Sequence, residues 1–166
     1  PDGLVVAGAR GWCVDRSTSK AREGGAVVVL GSCAAIAGNA LLPSPRVDGI
    51  VTISVENGTG APASLADVAA FLATDQGRAV LARDGRAASV DLLEIAAADD
   101  ALFLHALDKS GGPLNTGTDY WRAVFDIQGR FVSVSLTPNT PDEVSRAQSL
   151  ATLDAQIDRL KAANAR

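Results

Sequence analysis

Few residues in this 166-residue chain are typed and spaced for chemistry. Ser17-Thr18-Ser19-Lys20 is an SxxK string, in which a Ser nucleophile and a Lys base would sit one helical turn apart. Lys109-Ser110-Gly111 downstream would add a strand-borne Lys for a substrate carboxylate. That chemistry needs Ser17 to open a buried helix, so that Lys20 loses its charge and acts as base. Glu23-Gly24-Gly25 follows almost at once, and the expectation is a polar loop instead. His105 is the only histidine, and its place between Leu104 and Ala106 on an apolar run reads as structural or surface rather than catalytic. Asp99, Asp100, Asp108 and Asp119 fall at expected strand ends and read as solvated turn acids. None is spaced like a calcium loop, so no metal site is expected. The chain has no G-x-S-x-G elbow and no Walker or dinucleotide glycine pattern at a strand-to-helix junction, so no cofactor is expected either.

Asp119-Tyr120-Trp121-Arg122 is the one concentration of aromatics. On a strand, Tyr120 and Arg122 share one face and Trp121 takes the other. If Trp121 is core, Tyr120 and Arg122 form an exposed pair suited to a ligand or partner contact. The competing reading is cross-strand packing within the sheet. Asn115, in the Gly/Pro/Asn-rich stretch Lys109 to Thr118, is a third candidate contact, on a loop able to flank a pocket. Cys13 and Cys33 are the only cysteines and belong to no CxxC pair. They read as a disulfide or, alternatively, as two buried thiols.

The elements that must hold these residues follow from pattern. Leu4 to Ala7 and Gly11 to Val14 read as short strands, with a polar loop from Asp15 through Gly25. Ala26 to Leu30 is a β-branched run, expected to be a strand buried on both faces. Ile50 to Val55 is a strand stopped by Asn57-Gly58. A helix begins after Pro62, with Ser64 and Asp67 in capping positions and Leu65, Val68, Ala69 and Leu72 on its buried face, a face that Ala79-Val80 would extend. Gly77 should kink it before Asp84-Gly85 ends it. Two hairpins follow, Ala88 to Ala96 with Ala101 to Asp108 about Asp99-Asp100, and Tyr120 to Ile127 with Arg130 to Thr137 about Gln128-Gly129. The last helix is expected to start at Thr140, Pro141 and Glu143, with Leu150, Leu153, Ile157 and Leu160 as its apolar stripe. Strands joined by short turns are antiparallel, and two main amphipathic helices must cover them. The expected fold is therefore α+β: one domain, an antiparallel sheet of about six to seven strands, α/β/α sandwich-like.

Composition narrows the function classes. Apolar residues make up 47% of the chain and charged residues 20%, as in a globular domain. The net charge of −4, with only three Lys and no basic cluster, disfavours nucleic acid. The most apolar run, Ala26 to Ala37, is interrupted by Gly31, Ser32 and Cys33 and is too short to span a membrane. The chain opens Pro1-Asp2-Gly3 and contains no Met, so a removed signal peptide or lipoprotein leader is expected. With an oxidised cysteine pair, this places the protein outside the cytoplasm, periplasmic or extracellular.

The order of short N-terminal strands, a central helix, long meandering strands and a C-terminal helix resembles the PsbP-like α/β/α sandwich superfamily. That superfamily contains extrinsic photosystem subunits and many exported lipoproteins. The resemblance implies an accessory or binding role near a membrane and carries over no functional residue. The expectation is a non-catalytic exported domain binding a protein or small molecule. The rival is a small hydrolase using loop Ser or Asp residues, and a third reading is a structural part of a larger assembly.

Overall fold

The computed structural model describes residues 3–56, 64–111 and 118–165. Among the described residues, seven strands form one antiparallel sheet: β1 (Trp12–Arg22), β2 (Gly25–Ser32), β3 (Gly49–Glu56), β4 (Val90–Ala98), β5 (Ala101–Asp108), β6 (Thr118–Ile127) and β7 (Arg130–Pro138). Their spatial order is β1-β2-β3-β7-β6-β5-β4. Two meanders meet in the middle: β1 to β3 run inward from one edge, and β4 to β7 run inward from the other. Four α-helices accompany them among the described residues: α1 (Cys33–Ala37), α2 (Leu65–Leu72), α3 (Asp75–Leu81) and α4 (Arg146–Asn164). The α+β antiparallel architecture is the expected one.

Period-2 alternation divides the sheet's side chains between two layers. On one face the paired rows His105, Trp121, Leu136, Val51, Leu30 and Phe103, Ala123, Val134, Ile53, Val28 run across five strands. Leu153, Ile157 and Leu160 of α4 cover this face and make the larger core. On the other face Leu102, Leu104, Ala106, Tyr120 and Val124 pack beneath Leu72, Leu81 and Ala82. Among the described residues, α2 and α3 pack on the β4–β5 side and α1 on the β1–β2 side. Over β3 and β7 this second face carries Thr52, Ser54, Ser133, Ser135 and Thr137, all half-buried.

Several local expectations give way. The polar segment Asp15–Ser19 is part of β1, whose register with β2 shifts between Asp15 and Lys20. The Ser19 hydroxyl donates to the Asp15 carbonyl and accepts the Val29 N–H at 3.0 Å, so a side chain stands in for a missing ladder bond at this edge strand. Leu4–Ala7 is outside the sheet. Its backbone is held by amide side chains of α4: Gln156 donates to the Ala7 carbonyl at 2.7 Å and accepts from the Ala9 N–H at 2.9 Å. Asn164 does the same for both backbone groups of Val5. Of Ala26 to Leu30 only Leu30 is fully buried, because Val27 and Val29 point to the open second face.

The central helix breaks in two at Ala73–Thr74. Thr74 caps α3 by accepting from the Gly77 N–H at 3.1 Å, while its hydroxyl donates to the Phe71 carbonyl. Gly77 is needed for contact rather than for a kink, since a Cβ there would lie 2.1 Å from the Phe71 carbonyl oxygen. Val80, at the end of the expected buried face, is 67% exposed, and Leu81 and Ala82 are buried instead. Residues Pro141–Glu143 form a single 3-10 turn, and α4 is capped by Ser145, not Thr140. Ser145 and Gln148 exchange both bonds of a capping box, at 2.9 and 3.2 Å. Two S/T-x-x-E/Q strings lie five residues apart here, and the second starts the helix. Cys13 and Cys33 form a disulfide with Cα atoms 4.8 Å apart, tying β1 to the first residue of α1, a helix not expected from the sequence.

Candidate functional site

The candidate site is the boundary between the covered and open halves of the second face. One row of paired residues crosses it: Val29, Thr52, Ser135, Arg122, Leu104. A parallel row reads Val27, Ser54, Ser133, Val124, Leu102. Each passes from β2 valine through β3 and β7 hydroxyls to apolar residues beneath α2 and α3. Hydroxyls are found where none of the described helices packs, and leucines where one does, as burial demands. An open groove of about 300 Å³ follows the boundary, at the small end of the range for ligand sites. Its floor is Thr52, Ser54, Ser135, Thr137, Tyr120 and Arg122, and its wall is Val80 to Arg83 with Asp108 and Thr118.

Trp121 is core, but Tyr120 and Arg122 are not an exposed pair. Tyr120 is buried beneath α3 and its hydroxyl donates to the Leu81 carbonyl at 3.2 Å. Arg122 is half-buried, with its guanidinium 5.0 Å from the Tyr120 ring centre and its Nε donating to the Ser135 hydroxyl at 2.7 Å. The correction arises because both faces of β6 are covered: α4 takes the Trp121 side, and α3 reaches over Tyr120 on the other. Burial pushes the Tyr120 hydroxyl up and the Arg122 guanidinium down from their ordinary values. Asn115 lies outside the described residues.

Charge in the groove is uneven. Asp108 is buried, which pushes its carboxyl up. The Ser110 hydroxyl and the Arg83 and Ser110 amides outweigh that and hold it below its ordinary value. Its acceptor capacity is thus used by the Ser110 hydroxyl and the Ser110 and Arg83 amides. Arg122, by contrast, makes no ion pair with a carboxylate among the described residues. A second hollow, of about 220 Å³, lies between α4 and the β4–β5 hairpin, and both its cations are paired: Arg146 with Glu94, Lys161 with Asp100.

The remaining sequence candidates are dispersed. Ser17 lies on extended β1, where its hydroxyl donates to Asp15, and Lys109 pairs with Asp91 across the sheet from there. The SxxK spacing therefore falls on a strand and not on a helical turn. His105 stacks on Trp121 with ring centres 4.4 Å apart, and its Nε2 lies 3.0 Å from both Asp119 carboxylate oxygens. No Ser, Thr or Cys side chain among the described residues hydrogen-bonds to it. The four turn acids do not form one cluster: Asp99 and Asp100 sit in the β4–β5 turn, with Asp100 paired to Lys161, Asp119 meets His105, and Asp108 accepts from Ser110 and the Arg83 amide. No group of three or more His, Cys, Asp or Glu among the described residues could hold a metal ion. No helix among them is long and apolar enough to cross a membrane.

Sequence reasoning missed the groove's hydroxyl floor. The signal was present as Thr52 and Ser54 on one strand and Ser133 and Ser135 on another, but only pairing of β3 with β7 makes it a surface. No protein-family model matches the chain, and no curated protein or solved structure is significantly similar to it.

Proposed function

We propose that this chain is a non-catalytic binding domain of an exported protein, which takes a small ligand in the groove over β3, β7 and β6. The observation that carries the reading is the half-open second face. Two helices cover its β4–β5 side, and the neighbouring strands present a continuous hydroxyl surface ending at Arg122. Such an arrangement offers shape, donors and acceptors without a nucleophile–base pair, which suits recognition better than turnover. The Cys13–Cys33 disulfide supports export, since such bonds persist in oxidising compartments. The resemblance to PsbP-like sandwiches points the same way, as fold-level analogy for an accessory role.

The test is a fragment titration of the ¹⁵N-labelled protein. Hits should shift the amides of Thr52, Ser54, Arg122 and Ser135 as one set. Hits gathering around His105 and Asp119 instead, with turnover of an ester or amide fragment, would favour the hydrolase reading.

A further inference from the structure

We propose that the groove is a receptor for the carboxylate of a small organic acid, with Arg122 as the group that holds it. The inference rests on the groove being the binding surface and adds the class of ligand. Three observations converge on it. First, the Arg122 guanidinium is half-buried on the groove floor, with no carboxylate partner among the described residues. A cation drawn out of water without a counter-charge is unfavourable, and a bound anion removes that penalty.

Second, the guanidinium is pre-positioned. Its Cζ lies over Tyr120, 5.0 Å from the ring centre, and its Nε donates to the Ser135 hydroxyl. The two terminal nitrogens make no hydrogen bond among the described residues and remain as a pair of donors. That pair matches the two oxygens of a carboxylate, and holding it in advance reduces the ordering cost of binding. Third, the surroundings suit an oxyanion attached to carbon. Thr52, Ser135 and Thr137 supply hydroxyl donors, and Val80, 67% exposed on α3, supplies an apolar wall for the ligand's body. Asp108, the one acid lining the groove, is bound to Ser110 and the Arg83 amide, and Arg83 itself adds a second cation.

The experiment follows side-chain Nε–H and backbone amide signals of the intact chain during titration with hexanoate, hexanamide, hexyl phosphate and inorganic phosphate. Hexanoate should shift the Arg122 Nε–H and the Ser135 amide, and hexanamide, equal in shape but uncharged, should bind at least about thirtyfold more weakly. Arg122→Lys, which keeps the charge and loses the fork, should weaken hexanoate binding by a similar factor. Arg122→Gln should abolish it, with circular dichroism checking that each variant is folded. The wild-type comparison of acid with amide stands even if a variant fails to fold. Tighter binding of either phosphate than of hexanoate would overturn the carboxylate assignment in favour of a phosphate site. Equal binding of hexanoate and hexanamide within the groove would overturn the role of Arg122 while leaving the groove as a binding surface. Fragments that leave every groove amide unmoved would defeat both.

Discussion

Replacing Gln156 by Leu should detach the N-terminal segment from the fold without unfolding the sheet. Gln156 is fully buried on α4, and its amide makes both halves of a strand-like pairing, to the Ala7 carbonyl at 2.7 Å and from the Ala9 N–H at 2.9 Å. Leu fills nearly the same volume, so no cavity term enters. Two hydrogen bonds worth about 1 kcal/mol each are lost, and each orphaned backbone group adds about 1–3 kcal/mol while it stays buried. The segment avoids the larger sum by lifting away, at the cost of the packing of Leu4, Val6 and Ala9 on the main core. The net loss is expected at about 2–4 kcal/mol. Urea unfolding would measure it, with a lower m-value than wild type because less surface then remains to be exposed. Hydrogen exchange should show Val5 and Ala9 amides losing protection while β3 and β7 amides keep theirs. A loss under about 0.5 kcal/mol with Ala9 still protected would refute the account, showing that apolar contacts alone hold the segment.

Other consequences are as direct. Ser145→Ala should destabilise the protein by about 1 kcal/mol through loss of the α4 cap, whereas Thr140→Ala should cost only a few tenths; thermal melts of the two variants decide which residue starts the helix. Reducing the Cys13–Cys33 bond, or the double change to Ser, should lower stability by about 3 kcal/mol for a loop of this length, read from urea midpoints with and without reductant. Asp108 has its folded value depressed, so its contribution is complete above the unfolded carboxylate value near 4 and disappears as pH falls through the folded value. Asp108→Ala should therefore be about 2 kcal/mol less stable than wild type at pH 7, and the gap should narrow in acid; a gap unchanged at pH 2 would show that its charge is irrelevant.

Local chemistry made much of the architecture legible in the sequence. The two hairpins were readable because Asp99 and Gln128, both at positive φ, sit in short polar turns between alternating runs. Ser64 and Asp67 announced α2, and the spacing of Leu153, Ile157 and Leu160 announced the buried stripe of α4. The disulfide was readable as one of two alternatives. Each of these depends on neighbours within a few residues, or on there being no other cysteine to pair.

What resisted reading depends on partners far along the chain. Ser17 and Ser19 look like loop residues until β2 lies beside them, because an edge strand tolerates polar side chains that complete its own ladder. Gln156 looks like a solvent-facing helix residue until the N-terminal segment arrives to use its amide. Tyr120 and Arg122 were placed on the correct face, but alternation says nothing of what lies above that face. Tyr120 and Arg122 became unequal in burial only once α2 and α3 settled over the β4–β5 half of their face. Residue order by itself determined the strands from β3 to β7, the turns of the two hairpins and the covered stripe of the last helix, since these follow from local sterics and period. Tertiary packing alone decided that hydroxyls from β3 and β7 and a guanidinium from β6 share one groove, because the pairing of β3 with β7 joins segments about eighty residues apart.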